Sequence, residues 1–239
     1  MRLLSILVIF IFFGNLNAQN KKFEELMEQD WANLKNYREA NEKLIKSRDF
    51  PKVVFMGNSI TEGWSNIHPE FFNNNDFLGR GIGGQTTPQM LIRFNPDVID
   101  LKPEAVVILA GTNDIAGNTG YSSVKMITDN FKAMAQLADA HGIEVIIASI
   151  LPVYNYSWRP EIEPVKIIAE VNAWLKDFAE KNQHTYLDFY SEMADSKKGL
   201  PKEYAEDGVH PTDTGYRVME PLTLKAISKA LNKYQDPDN

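Results

Sequence analysis

Residues 53–64 read VVFMGNSITEGW, and this short stretch decides the fold class. Four apolar residues stop at Gly57, and the chain passes directly into the polar turn Asn58-Ser59. In an open α/β sheet, the loop that follows a buried strand lies at the edge where ligands bind. Three interpretations of this turn are open: a nucleophile on a tight turn, a phosphate cradle at a helix N-terminus, or an ordinary capped turn.

Apolar runs and helical periodicity alternate along the chain beyond this stretch. The pattern predicts strands at 53–56, 77–80, 105–110, 145–150 and 186–189, and helices at 87–100, 122–141, 161–182 and 213–233. Alternation of this kind is typical of parallel strands joined by right-handed helical crossovers. We therefore predict an α/β fold, a three-layer α/β/α sandwich around a mostly parallel five-stranded sheet.

The first residues have the pattern of a secretory signal peptide. A positively charged start precedes an apolar core, and a cleavage site follows at Ala18, so we predict a cleaved signal peptide at 1–18. An uncleaved N-terminal anchor is the alternative. Residues 19–239 are predicted to be one domain, with an amphipathic helix at about 21–48 and a core at about 50–233. The mature protein is expected to be secreted or periplasmic, without a membrane span.

Composition excludes several classes of function. The 239 residues contain 32 acidic and 25 basic side chains, a formal net charge of −7, which argues against nucleic acid as a partner. The sequence has no cysteine, so disulfides, thiolate chemistry and a lipoprotein anchor are not available. The four histidines are well separated, and no metal site is predicted.

Four polar segments follow the predicted strands or precede the last helix, and they should meet at one edge of the sheet. They read GNSITEGW (57–64), GRGIGGQTT (79–87), AGTNDIAGN (110–118) and EDGVHPTDTGY (206–216). A serine hydroxyl needs an adjacent base that a third group orients, and His210 with Asp207 three residues earlier could supply both to Ser59. In the alternative interpretation, Asp207 and Thr212 are turn and cap residues and His210 is incidental.

Attack on an ester creates an oxyanion, which fixed hydrogen-bond donors stabilise. The sequence offers the Ser59 backbone N–H, a backbone N–H from the 81–84 loop, and the Asn113 side-chain amide. The alternatives are a glycine turn that binds nothing and an asparagine that only caps the loop after the third strand.

Together, the four segments resemble the four blocks of the SGNH hydrolases, also called the GDSL lipase/acylhydrolase family, and the resemblance covers about 50–233. It implies a flavodoxin-like fold of the SGNH type. It also implies that Ser59 is the nucleophile, His210 the general base and Asp207 the acid that orients it. The oxyanion hole would comprise the N–H groups of Ser59 and Gly84 and the amide of Asn113.

Gly83 and Asn58 affect how this resemblance applies to the chain. Gly83 is the alternative donor if the loop register differs by one residue. Asn58 stands where the family usually has aspartate before the serine, so the hydrogen bonding of this loop should differ from the usual pattern.

Aromatic residues near these segments bear on the substrate. Trp64, Tyr154, Tyr156 and Trp158 are predicted to form a stacking surface for a sugar ring, and packing of a long loop is the alternative. We therefore expect a serine-dependent carboxylic-ester hydrolase that removes short acyl groups, acetyl above all, from a carbohydrate or another polar alcohol. It would act on a small-molecule or glycan ester without a cofactor. The oligomeric state stays open.

Two other functions stay open as well. The first is a lipid or lysophospholipid acylhydrolase or thioesterase of the same family. The second is a non-catalytic flavodoxin-like module that binds carbohydrate or flavin, with Ser59 and Thr61 near a phosphate. A metal-dependent phosphoesterase is not expected, because the strand ends do not supply clustered Asp and His ligands.

Overall fold

The computed structural model describes residues 24–25 and 27–232. The predicted signal peptide at 1–18, the start of the predicted N-terminal helix and the last residues of the chain lie outside the described residues. Within the described range, no helix has both the length and the apolar character that a membrane span requires.

A parallel sheet of five strands forms the centre of the fold. The strands are β1 (Val53–Gly57), β2 (Phe77–Gly81), β3 (Ala105–Leu109), β4 (Glu144–Ala148) and β5 (Thr185–Leu187). Their order across the sheet is β2-β1-β3-β4-β5, and every neighbouring pair is parallel. The predicted strands and their parallel arrangement are confirmed. Because the strands are parallel, the loops after them meet at one edge.

The helices lie in two layers around the sheet. They are α1 (Arg38–Ser47), α2 (Ser59–Ile67), α3 (Pro69–Asn73), α4 (Thr87–Asp97), α5 (Thr112–Ile115), α6 (Val124–Ala140), α7 (Pro164–Lys181), α8 (Phe189–Met193) and α9 (Asp213–Leu231), with a 3-10 turn at Ile99–Leu101. Hydroxyl side chains cap two of these helices: Thr212 accepts from the third N–H of α9, and Thr86 forms a capping box with Gln89 at the start of α4. The predicted long helices after β2 are confirmed, with ends shifted by a few residues.

Alternate residues of each strand face opposite layers, as the two-residue period of a strand requires. Val54 and Met56 of β1 pack into a core with Phe94 and Phe131, on the side of α4, α6 and α7. Phe55 packs into a second core with residues of α2, α8 and α9. Both faces of the sheet are therefore buried, which explains why β1 reads as a continuous apolar run.

The N-terminal segment differs from the prediction of one amphipathic helix over about 21–48. Turns lead into α1, which begins only at Arg38. The Asp30 carboxylate accepts a hydrogen bond from the Leu34 N–H at 2.8 Å, and Asn33 adopts a positive φ of 53°. A left-handed residue cannot continue a right-handed helix, so the chain turns before α1 begins.

Candidate active site

The strand-to-helix corner at Gly57 places Ser59 at the start of α2. A Cβ at Gly57 would lie 2.0 Å from Thr61 Oγ1, so only glycine lets the first turn of α2 approach the end of β1. Ser59 is the first residue of α2, partly exposed at the strand edge. The N–H groups in the first turn of a helix have no intrahelical acceptor, so the Ser59 N–H can donate outward.

The structure brings together Ser59, His210 and Asp207, although 151 residues separate Ser59 from His210 in the sequence. Ser59 Oγ lies 2.9 Å from His210 Nε2, and His210 Nδ1 lies 2.7 Å from Asp207 Oδ2. A carboxylate accepts only, so Nδ1 carries the proton and Nε2 is left to accept from the serine hydroxyl. The arrangement has the connectivity of a nucleophile, a base and an orienting acid.

A single short turn holds both Asp207 and His210. The second carboxylate oxygen of Asp207 accepts from the N–H of Val209 at 2.9 Å and from the N–H of His210 at 2.8 Å. Partial burial raises the pKa of the Asp207 carboxyl, but the hydrogen bonds from the His210 ring and from the two N–H groups outweigh it, so the pKa lies below its ordinary value. Asp207 therefore stays ionised when it faces the imidazole.

The glycine loop after β2 distinguishes the two candidate oxyanion donors. The Gly83 N–H donates to Glu62 Oε2 of α2 at 3.0 Å and is therefore engaged. Gly84 is exposed and adopts a positive φ of 74°, a conformation that favours glycine. Among the described residues, no hydrogen-bond acceptor occupies the Gly84 N–H. Gly84 is the better candidate of the two.

Asn113 comes to the same loop from the end of β3. Its Nδ2 donates to the Gln85 carbonyl at 2.9 Å, and its side chain is almost fully buried. An amide nitrogen carries two hydrogens, so the second stays available for a ligand. The Asn58 amide donates to the same Gln85 carbonyl at 3.4 Å. An ionised aspartate at position 58 could not make that bond. Asn58, which stands where the family usually has aspartate, therefore changes the hydrogen bonding of this loop.

A buried arginine behind this loop links the strand end to the oxyanion side. Arg93 is fully buried; its Nε donates to Gln85 Oε1 at 2.6 Å, its Nη1 to Asp97 Oδ2 at 2.8 Å and its Nη2 to the Gly57 carbonyl at 2.7 Å. Arg93 thus connects the residue two before Ser59 with the residue after Gly84. The roles of Arg93 and Glu62 were not predicted from the sequence, because Arg93 also reaches Gly57 and Glu62 reaches Gly83, each in another element of the fold.

The segment that precedes β1 completes this support. Its hydrogen bonds run from Gln85 Nε2 to the Ala32 carbonyl (2.7 Å), from Asn41 Nδ2 to Asp97 Oδ1 (2.7 Å), from Arg80 Nη2 to Asn41 Oδ1 (2.7 Å), and from the Tyr37 hydroxyl to the Gly81 carbonyl. The Arg80 guanidinium also lies over the Tyr37 ring, 4.6 Å from its centroid. The N-terminal segment is therefore part of the scaffold of the glycine loop at 81–84.

Asp114, the residue after Asn113, ties the β3 loop to the start of α4. Its carboxylate accepts from the Thr87 N–H at 3.0 Å and from the Thr87 hydroxyl at 2.6 Å. Burial raises the pKa of Asp114 to about 6, and the hydrogen bonds from Thr87 only partly offset that effect. This carboxylate fixes Asn113 relative to the glycine loop.

The structure corrects two of the four predicted substrate aromatics. Trp64 is 1% exposed, and its ring is stacked between Phe71 and Tyr216, so no ligand can stack on it. Tyr156 is fully buried, and its hydroxyl lies 2.9 Å from Thr112 Oγ1, beside Asn113. Both rings pack in the interior, as the alternative interpretation stated.

Two aromatics predicted for the substrate do reach the surface. Tyr154 and Trp158 are 59% and 43% exposed in the loop after β4. Tyr121, in the loop after β3, is 84% exposed and was not among the predicted aromatics. Within residues 24–25 and 27–232, no group of three or more His, Asp or Glu side chains is arranged to hold a metal ion.

The sheet order, the serine at the β1 corner and the histidine before the last helix define a class of protein, the three-layer α/β hydrolases of the SGNH type. The sequence matches the GDSL-like Lipase/Acylhydrolase family over residues 55–218. The chain belongs to this family of hydrolases.

Individual relatives agree with this assignment. A GDSL-like lipase from Bacteroides thetaiotaomicron VPI-5482, known from its crystal structure, is 45% identical and covers 84% of this chain and 100% of its own, with a TM-score of 0.81. An acetylxylan esterase from Geobacillus stearothermophilus is 24% identical over 63% of this chain and 71% of its own length. An uncharacterized lipoprotein from Bacillus subtilis is 33% identical over 45% of this chain, and the match spans only 51% of that lipoprotein.

Proposed function

We propose that this protein is a serine-dependent carboxylic-ester hydrolase that removes short acyl groups, acetyl above all, from a carbohydrate or another polar alcohol. The observation that carries the proposal is the connected series Ser59 Oγ, His210 Nε2, His210 Nδ1 and Asp207 Oδ2, with separations of 2.9 and 2.7 Å. This series lies at the sheet edge beside the Gly84 loop. A binding module has no need for such a connection.

The proposed reaction has two steps. His210 takes the hydroxyl proton of Ser59 as Oγ attacks the ester carbonyl, and it returns the proton to the departing alcohol. The N–H groups of Ser59 and Gly84 and the Asn113 amide donate to the oxyanion that develops. In the second step, water attacks the acyl-enzyme with His210 again as base, which releases the acid. Asp207 keeps His210 in the tautomer that both steps require.

Two exposed rings in the loop after β4 support a polar alcohol as the leaving group. Tyr154 and Trp158 offer flat apolar faces on which a sugar ring could stack. The acetylxylan esterase relative is named for an acetylated polysaccharide, which supports this choice. The second candidate is a lipid acyl ester, and the relative described as a GDSL-like lipase favours it. Chain-length dependence separates the two.

We also propose that the protein acts after export, with its signal peptide removed after Ala18. The relative described as a lipoprotein is compatible with an exported protein. Mass spectrometry of the protein recovered from its native host would test the cleavage site. A mature N-terminus at residue 19 is expected, whereas an intact Met1 would contradict the proposal.

The function is tested by hydrolysis of p-nitrophenyl esters from acetate to palmitate, with the wild-type protein and Ser59→Ala assayed side by side. We expect serine-dependent activity that falls steeply beyond butyrate, and a loss of about 10⁴-fold or more in the variant. The variant should unfold at the same temperature as the parent. Activity of Ser59→Ala within a few-fold of the parent would refute the proposal, and a preference for palmitate would favour the lipid substrate.

A further inference from the structure

One four-residue turn in the loop after β3 borders the proposed oxyanion site. In this turn, residues 117–120, the Asn118 Nδ2 donates to the Gly84 carbonyl at 3.2 Å, and Thr119 Oγ1 lies 2.9 Å from Thr86 Oγ1. The turn is closed internally by the Gly120 N–H, which donates to the Gly117 carbonyl at 3.0 Å. One side of the turn is therefore fixed to the residue that we propose as an oxyanion donor.

The opposite side of the same turn forms the wall of an open groove of about 600 Å³. The groove runs between the loop after β3 and the start of α7, and its walls include Tyr121, Arg159, Glu161, Ile162, Glu163 and Ile167. Its volume lies within the range of 300 to 1,000 Å³ that is typical of small-molecule sites. The groove is thus separated from the Gly84 loop by the thickness of one turn.

The two glycines of the turn keep this separation small. A Cβ at Gly117 would lie 3.3 Å from Arg159 Nη1, and Gly120 presents no side chain toward the groove. Neither glycine places a side chain in the groove, so these two positions line it with backbone alone.

The chemistry of the groove fits a sugar ring. Tyr121 leaves 84% of its surface in solvent, and an aromatic face of this kind can pack against the apolar face of a pyranose. Arg159 donates through Nε to Glu161 Oε1 at 2.6 Å, which orients its remaining N–H groups and leaves further carboxylate lone pairs for hydroxyl groups. Glu161 and Glu163 together outnumber Arg159, so the groove repels an anionic headgroup.

We propose that this groove is the subsite for the carbohydrate alcohol of the ester, with Tyr121 as its stacking platform and Arg159 and Glu161 as its hydroxyl-binding pair. The proposal rests on the proposed function, because it places the leaving alcohol of that same reaction. It assigns a role in substrate affinity to residues that do not touch the reacting atoms.

The test compares acetyl esters of two different alcohols, an aromatic one and a sugar. p-Nitrophenyl acetate reports the acyl-transfer chemistry, and peracetylated xylobiose reports the chemistry together with the sugar subsite. In Tyr121→Ala, we expect kcat/KM for peracetylated xylobiose to fall about five- to tenfold through KM, while p-nitrophenyl acetate stays within twofold. Tyr121→Phe keeps the ring and should retain most of the activity on the sugar ester. Arg159→Gln should give a loss of similar size on the sugar ester alone.

Two controls lie outside the groove. Leu224→Ala removes an exposed apolar side chain of α9, and Lys181→Gln removes an exposed positive charge at the end of α7. Each of these two variants should hydrolyse p-nitrophenyl acetate and peracetylated xylobiose as the wild type does. Equal losses on both esters in Tyr121→Ala would overturn the subsite, and so would the absence of any loss.

A binding experiment separates failure of the subsite from failure of the proposed function. Ser59→Ala retains the groove, so calorimetric titration with xylobiose should detect binding that the added Tyr121→Ala substitution weakens at least fivefold. If p-nitrophenyl acetate hydrolysis is not serine-dependent, the catalytic proposal fails while this titration still tests the groove. Xylobiose affinity that is independent of Tyr121 would overturn the subsite even if catalysis is as proposed.

Discussion

The two sides of the candidate active site are held in different ways. On the base side, Asp207 and His210 belong to one short exposed turn, and both side chains are close to half exposed. On the oxyanion side, the Gly84 loop rests on the fully buried Arg93, on Gln85 and on the segment before β1. One side is local and solvated, whereas the other is a buried network assembled from distant parts of the chain.

We expect the two sides to contribute differently, the base side mainly to the chemical steps and the oxyanion side also to the stability of the fold. Donors to an oxyanion are effective only when they are fixed before the charge develops, and burial provides that rigidity. A base that moves a proton in each step needs access to solvent and only one orienting contact. We therefore expect substitutions on the base side to affect turnover without affecting stability, and substitutions behind the oxyanion loop to affect stability first.

The largest effect is expected from Asp207→Asn. The asparagine can still accept from the N–H groups of Val209 and His210, but its amide presents a donor to His210 Nδ1 and favours the wrong tautomer. We expect kcat for p-nitrophenyl acetate to fall about 10⁴-fold, with a urea midpoint close to that of the parent. A loss of stability as pronounced as the loss of activity would show that the base side is not local.

Next in size is Arg93→Met, which leaves Asp97, Gln85 and the Gly57 carbonyl without their buried partner. Removing one member of a buried ion pair costs about 3 to 5 kcal/mol, so the free energy of unfolding in urea should fall by that amount. Arg217→Met is the matched control, because Arg217 pairs with Asp213 at an exposed position and should leave the urea midpoint unchanged. Equal effects in the two variants would refute the buried network.

A smaller, pH-dependent effect is expected at Asp114. Its folded-state pKa of about 6 lies above the ordinary value of 3.8, so the folded protein binds more protons between these values, and stability falls as the pH rises from about 4 to about 6. The difference corresponds to about 3 kcal/mol. Asp114→Asn removes this contribution, so its stability relative to the wild type should improve by up to that amount between pH 4 and pH 8. A parallel pH dependence in both proteins, measured by urea unfolding, would contradict the assignment.

The smallest effect is expected from Glu62, which anchors the Gly83 N–H. Glu62→Ala frees the loop beside Gly84, and we expect kcat to fall about five- to tenfold, as for the loss of one hydrogen bond of about 1 kcal/mol. Glu62→Gln keeps the acceptor and should stay within twofold. If the glutamine variant is as impaired as the alanine variant, the charge of Glu62 matters more than its hydrogen bond.

The same contrast explains what could be predicted from the sequence. The strands, the crossover helices and the residues Ser59, Asp207 and His210 carry local signals, because each lies in a short polar segment next to an apolar run. The role of Arg93 depends on partners 8 and 36 residues away, and nothing in its own neighbourhood indicates burial. Tertiary contacts of this kind cannot be predicted from the local periodicity of the sequence.

The predictions for Trp64 and Tyr156 were wrong for a similar reason. Trp64 follows Ile60 by four residues on the same face of α2, a spacing that favours core packing, but its proximity to the nucleophile suggested a ligand contact instead. Tyr156 lies in a loop, where periodicity gives no information, and its burial depends on a partner 44 residues away. Exposure could be read only from the folded structure.

The turns and the helix that precede β1 have a consequence for how the family diversifies. The family match begins at residue 55, yet the Ala32 carbonyl, Tyr37 and Asn41 support the loop that presents Gly84. Two proteins with identical matched regions could therefore differ in catalytic rate through their leading segments alone. Exchanging such segments between homologues is a route to tune the enzyme without altering any residue that touches its substrate.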